Sequence, residues 1–416
     1  MAFCEDFEGA RNTVGNRNGD LSVADFSVSR WSSALSSSPG HVERAAIPSC
    51  RAGVSATPLP PGDVLTCDPS TSIGSHYGLI ATAEQNYGDT SARINQPFDI
   101  AGRTGTIRFD TNLSLAVGVL GWQTLIFTPE PSSAPSYLAD NSGGATPERG
   151  LALHFNWQCV TNGQFNPSVQ VRTYDRHRET LLTDDGGSCT APISVASGRL
   201  NRVEVRLSTS HIEVWISDAS SDGVRFGALK RVFSSPLSLG FTRGNLYVGV
   251  HNHATVKYAG LASWTTLWDN VAFDGPALPA QRVSQVADAA VPSGSGVDNA
   301  YALGNGIPTT ALELPGVSTS GATSGHLVFD LMADTISNAN FADWRVRYRL
   351  NGGAWHDIAL SPDQVATASG RGGAFGFTAP VSLAELRSGT NSLELSGTGF
   401  FLGYQPYVGN IDLVLE

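Results

Sequence analysis

Five short segments carry the side chains with chemical potential. If LALHFNWQC (151–159) is extended, Leu153, Phe155 and Trp157 take one side, and His154, Asn156 and Gln158 take the other. By the same alternation SVQVRTYD (168–175) sets Gln170, Arg172 and Tyr174 against Val169 and Val171. NLYVGVHNH (245–253) sets Tyr247, Gly249, His251 and His253 against Leu246, Val248 and Val250. NRVEVRLS (201–208) adds Arg202, Glu204 and Arg206, and HIEVWISD (211–218) adds His211, Glu213 and Trp215. A solvated sheet face is ordinarily built of Thr, Ser, Lys and Glu. Rows of His, Tyr, Trp, Gln, Asn and Arg instead suit sugars, because amides and guanidinium groups direct hydrogen bonds to hydroxyls and aromatic rings stack on pyranose faces. Gly249 removes bulk beside Tyr247 and His251 and permits close approach. These rows predict a concave glycan-binding face, and the competing explanation is that rows from two different sheets are being pooled.

Carboxylates offer a second chemistry. The tight turn Ser208-Thr209-Ser210-His211 predicts a hairpin with Arg206 opposite Glu213 and Glu204 opposite Trp215. Glu204 and Glu213 are then diagonal neighbours, within reach of a paired-carboxylate hydrolysis in which Asp175 is a further candidate. A cross-strand Arg206–Glu213 ion pair is the favoured reading, since an arginine lowers the carboxyl pKa and makes a poor general acid. His251 and His253 have an i, i+2 metal-ligand spacing, but two histidines do not complete a site.

The elements that must position these residues are strands. Helical periodicity is nearly absent, and alternating segments separated by Gly, Pro, Ser, Asn and Asp predict an all-β protein. Residues 1–275 read as one sandwich, 276–288 as a linker within GPALPAQRVSQVADAAVPSGSG, and 289–416 as a smaller accessory β-sandwich. In the latter, WRVRYRL turns Trp344, Val346, Tyr348 and Leu350 inward and lines Arg345, Arg347 and Arg349 along the other face. Glu394 and Asp412 are expected to pair with these arginines as a charge ladder. Phe400, Phe401, Tyr404 and Tyr407 concentrate in GTGFFLGYQPYVGN and read as an interdomain seam.

Composition narrows the function classes. The 416 residues carry 26 basic against 37 acidic side chains, a net charge of -11, which opposes nucleic acid and anionic membranes as partners. No apolar run is long enough to span a bilayer, and MAFCEDFEGA has no basic stretch followed by an apolar one. P-loop, dinucleotide, G-x-S-x-G and H-E-x-x-H motifs are absent, and no organic cofactor is expected.

GRLNRVEVRLSTSHIEVWISDAS, followed by LYVGV and LWDNVAFDG, resembles the hairpin and closing strands of the concanavalin A-like lectin/glucanase jelly-roll superfamily over about residues 1–275. The resemblance implies a jelly roll and a structural calcium ion, for which Glu8 and Asp274, or Asn16, Asn18 and Asp20, are candidates. Hydrolases of this superfamily carry carboxylates on a strand whose counterpart here, LALHFNWQC, has none. The lyase branch is similar in using arginine, a histidine strand and a late tyrosine. Carried over, this gives Arg93 with Asn95 or Arg172 with Asn156 to neutralise a uronate, His154 as base, and Tyr247 or Tyr174 as acid. Polysaccharide cleavage by β-elimination, carboxylate hydrolysis, and binding without cleavage all remain open.

Cys50 and Cys67 bracket a Pro/Gly-rich loop and Cys159 and Cys189 an extended hairpin, which predicts two local disulfides and a secreted or extracytoplasmic protein. Non-reducing peptide mapping is expected to recover these two pairs with Cys4 unpaired. Five alkylatable thiols without reduction would remove the argument for export.

Overall fold

Alternation of apolar and polar residues makes strands, and strands that bury one row must stack in layers. The computed structural model describes residues 3–5, 26–31, 41–46, 77–84, 88–94, 96–112, 121–129, 149–161, 164–176, 178–183, 200–217, 226–252, 263–275, 282–286, 301–304, 306–309, 311–334, 341–360, 365, 372–399 and 406–416. The first strands are β1 (Phe3–Glu5), β2 (Phe26–Trp31), β3 (His41–Ala46), β4 (Tyr77–Glu84), β5 (Gly88–Ile94), β6 (Phe98–Asp99), β7 (Gly105–Asn112) and β8 (Gly121–Pro129). Next come β9 (Arg149–Thr161), β10 (Gln164–Asp175), β11 (Arg178–Leu181), β12 (Leu200–Leu207), β13 (His211–Ser217), β14 (Lys230–Pro236), β15 (Arg243–Asn252) and β16 (Ser263–Phe273). The last are β17 (Arg282–Gln285), β18 (Tyr301–Ala302), β19 (Leu312–Val317), β20 (Gly325–Asp334), β21 (Arg345–Leu350), β22 (His356–Ala359), β23 (Gly372–Pro380), β24 (Gly389–Thr398) and β25 (Tyr407–Leu415).

Among the described residues these form three antiparallel sheets. An eight-stranded sheet runs β14-β13-β12-β7-β16-β4-β3, with β1 also on β16. A thirteen-stranded sheet runs β11-β10-β9-β8-β15-β5-β2-β23-β20-β25-β17, with β6 on β15 and β18 on β25. A four-stranded sheet runs β19-β24-β21-β22. The all-β expectation, a jelly-roll sandwich followed by a smaller one, describes this architecture. Alternation does not predict how the two are joined: β2 pairs with β5 on one side and meets β23 at Arg30–Ala374, so a single sheet serves both sandwiches. Residues Arg282–Gln285, inside the stretch read as linker, form β17 and pair with β25.

The first core lies between the eight-stranded sheet and the β10-to-β5 part of the thirteen-stranded one. Phe109, Val203, Val205, Ile212 and Val214 face Leu125, Phe127, Leu153, Phe155, Val169 and Leu246 across it. Phe109 stands edge-on to Phe155 at 5.6 Å and tilted against Trp268 at 4.8 Å. Among the described residues a polar bridge crosses this layer, from Gln123 Nε2 to Thr111 Oγ1 at 2.5 Å. The second core packs Leu314, Trp344, Val346, Leu393 and Leu395 against Leu327, Phe329, Phe377 and Leu413.

Cys50, Cys67 and Cys189 lie outside the described residues, as do Phe400, Phe401 and Tyr404; Cys4 falls in β1 and Cys159 in β9. Among the described residues no helix is long and apolar enough to cross a membrane. Phe109 is fully buried, with aromatic partners on two strands. Phe109→Ala is expected to cost about 3–5 kcal/mol in urea unfolding, and a loss near zero would place the ring outside a core.

Candidate functional site

The segments that sequence alternation groups on one face belong to two sheets. β9, β10 and β15 lie in the thirteen-stranded sheet, and β12 and β13 in the eight-stranded one. Because the core separates those sheets, His154, Arg172, Tyr174 and Tyr247 are on one outer face of the sandwich, and Glu204, Glu213 and Trp215 on the other. The pooled face is therefore corrected to two separate sites.

On the thirteen-stranded sheet, His154 and Gln170 are direct cross-strand partners, as are Arg172 and Ala152. Tyr247 pairs with Ile126 on β8 and with Arg93 on β5. This layer is not an open groove: His154, Gln170 and Tyr247 are 0% exposed, and Tyr174 and Arg172 only 4% and 5%. Tyr174 and Tyr247 pack with Ile126 and Ala152 as a second, small apolar cluster. Arg172 Nε donates to Gln170 Oε1 at 2.7 Å, and its Nη1 donates to Glu179 Oε2 at 3.2 Å. Burial drives the Tyr174 phenol well above its ordinary value, so it holds its proton. The β9–β10 register slips between Ser168 and Val169, leaving Asn156 between two paired positions, Phe155 and Trp157. The alternation that groups Asn156 and Gln158 with His154 is thus broken by a bulge. Asp175, the further carboxylate candidate, sits at the end of β10 opposite Arg178, in a different sheet from Glu204 and Glu213. His251 pairs in register with Trp122 and Asp89; Asn95, His253, Glu8, Asn16, Asn18 and Asp20 lie outside the described residues.

The outer face of the eight-stranded sheet is a ladder of alternating charge. The hairpin has the expected register, Arg206 opposite Glu213 and Glu204 opposite Trp215, and β7 sets Arg108 beside Glu204. The expected cross-strand ion pair of Arg206 with Glu213 is present at 3.9 Å, and Arg206 also holds Glu204 more closely, at 2.7 Å. Arg108 holds the other oxygen of Glu204 at 2.7 Å, and Arg231 on β14 holds Glu213 at 3.0 Å. Burial alone would raise the Glu204 carboxyl, but the hydrogen bonds from Arg108 and Arg206 outweigh it and hold the group below the usual carboxylate range. Hydrogen bonds from Trp215 Nε1 and Arg231 lower Glu213 in the same way. Both carboxylates are thereby kept as acceptors and are poor proton donors. Trp215 lies beneath Arg206 at 4.5 Å and within 5.8 Å of Arg231.

Further along this face, Arg202 makes a two-pronged contact with Asp110, at 2.8 and 2.9 Å, under the ring of Phe226. Asn270, in the left-handed region at φ 49, donates to both Asp110 and Asp269. Sequence reasoning missed Asp110 and Asn270, although an aspartate in the otherwise regular strand TIRFDTN was a signal for a buried partner. The calcium candidate Asp274 accepts from Arg103 Nη1 at 2.9 Å and from the Thr106 amide at 2.8 Å. That guanidinium already supplies the positive charge a calcium ion would bring, so Asp274 does not fit as a ligand. Among the described residues no cluster of three or more His, Cys, Asp or Glu side chains could hold a metal ion.

No protein-family model matches the chain, and no curated protein matches it. Similar solved structures include basic winged bean lectin with Tn-antigen, at 11% identity and TM-score 0.31 over 47% of this chain and 84% of that one. Peanut lectin with a nonapeptide is similar at 10% identity and TM-score 0.31, over 56% of this chain and 99% of that one. Xylan β-1,4-xylosidase from Bacillus halodurans is similar at 9% identity and TM-score 0.29, over 47% of this chain and 33% of that one.

Glu204 is held below its ordinary value of 4.5, so its pairing contributes fully above that pH and is lost as pH falls through the folded value. Glu204→Gln is expected to cost about 1.5–3 kcal/mol of stability at neutral pH. Denaturation series should show the gap to the unsubstituted protein narrowing as pH is lowered below 4.5.

Proposed function

We propose that the protein binds neutral carbohydrate on the outer face of the eight-stranded sheet and does not cleave it. The carrying observation is the arginine-clamped Glu204–Arg206–Glu213–Arg231 ladder around Trp215. Ionised carboxylates and fixed guanidinium forks are directional partners for sugar hydroxyls, and an indole edge among them adds apolar contact. Arg206 and Arg231 are 39% and 53% exposed and Glu213 is 20% exposed, so the face is accessible to a chain lying across it. The same clamping argues against general acid catalysis by either glutamate. The elimination reading has its base and acid candidates in a layer with His154 and Tyr247 fully buried, where a polysaccharide has no contact with them.

Retention on immobilised neutral polysaccharides, among them glucan, galactan, mannan and xylan, tests this reading. At least one should retard the protein, and Trp215→Ala should weaken that binding about tenfold or more, the usual consequence of truncating a central tryptophan. No new reducing ends and no unsaturated, ultraviolet-absorbing sugar should accumulate. Shortening of the polysaccharide, or unchanged binding by the variant, would overturn the proposal.

A further inference from the structure

We infer that the outer face of the four-stranded sheet is a separate binding site for an acidic polysaccharide, one whose sugars carry carboxylates. The site stands apart from the Trp215 face and does not rest on it. It begins with Arg345, Arg347 and Arg349, which alternate with the buried Val346, Tyr348 and Leu350 and so share one side of β21. Successive arginines on one face of a strand are about 6.6–6.8 Å apart. A two-residue turn at Asn351-Gly352, with φ of 53 and 71, folds β22 back against this strand. The turn brings Asp357 opposite Arg347, while β24 brings Glu394 opposite Arg349.

The indole of Trp355 lies against both guanidinium groups, 5.0 Å from Arg347 and 4.7 Å from Arg349. Stacking fixes the planes of the two forks and reduces the side-chain freedom that a ligand would otherwise have to remove. The acidic neighbours leave donors in hand. Arg347 Nε lies against Asp357 without a hydrogen bond to it, and Asp357 is itself 53% exposed, an ion pair weakened by water. Arg349 meets Glu394 through Nη2 at 2.6 Å. Arg345 has no carboxylate partner among the described residues; its Nη1 donates to the Ala342 and Trp344 carbonyls at 2.8 Å. Asp412, which the sequence suggested as a further partner, is fully buried in β25 of the other sheet; β21 and its two direct carboxylate partners carry one more positive charge than negative, and Glu313, exposed on β19 opposite Ser392, lies at the far edge of the same face.

A planar carboxylate matches the guanidinium fork in a way that point charges do not. A chain with one carboxylate per sugar presents such groups repeatedly along a strand-like path. Nucleic acid is the less favoured occupant, because Trp355 is occupied by arginines where a base would stack.

The experiment uses the full chain with sodium polygalacturonate as probe, followed by affinity electrophoresis at increasing salt, with a neutral glucan and single-stranded DNA as competitors. The protein should be retarded, and retardation should fade with salt. Arg345→Gln, which breaks no ion pair, should weaken binding roughly tenfold, with Arg345→Lys falling between. Trp215→Ala should leave polygalacturonate binding unchanged, which separates this site from the neutral-sugar face. No retardation, full binding by Arg345→Gln, loss through Trp215→Ala, or equal competition by the DNA would each overturn the inference.

Discussion

Strands β8, β9, β10 and β15 are buried on both faces, and the disposition of polar groups elsewhere follows from that constraint. On the inner face Leu125, Leu153, Val171 and Leu246 build the sandwich core; on the outer face Ile126, Ala152, Tyr174 and Tyr247 build a second apolar cluster. Polar side chains interleaved with that second cluster are removed from water and must find partners within the protein. Arg172 does so by bonding Gln170 beside it and Glu179 on the neighbouring strand. A layer organised in this way specifies how the strands lie together more than it offers reactive groups to solvent.

The two accessible faces solve a different problem with the same parts. Each sets a tryptophan against two arginines and ties those arginines to carboxylates from adjacent strands: Trp215 with Arg206 and Arg231, Trp355 with Arg347 and Arg349. Individually, exposed ion pairs of this kind add little stability. Their joint effect is to hold flat donors and acceptors in place on an otherwise mobile surface. The difference between the faces lies in balance, because Glu204 is 5% exposed and doubly held whereas Asp357 is largely in water.

Strand identity and the inward rows were legible because alternation is a local property. Val203, Val205 and Leu207 on β12 and Val346, Tyr348 and Leu350 on β21 are buried as their spacing requires. The hairpin register around Ser208–His211 was equally local. What alternation does not encode is which sheet a strand joins, and so it groups His154 with Glu204 although the core lies between them. Burial of the second face does have a signal in the sequence: Leu125-Ile126-Phe127 and Leu151-Ala152-Leu153 are unbroken apolar runs, the mark of strands covered on both sides. The bulge near Asn156 and the choice of Asp357 over Asp412 as a partner depend on neighbours distant in sequence.

The bridge between Arg30 and Ala374 joins strands far apart along the chain. At a synthesis rate of about 5–20 residues per second, the edge of β2 facing β23 waits tens of seconds for its partner to leave the ribosome. An unpaired strand edge is a template for pairing with other chains. The emerging polypeptide therefore passes through an interval in which its first sandwich presents an open border, and a strand made much later is what closes it. Truncation before β23 removes a cover as well as a domain, and the cost falls on solubility during synthesis.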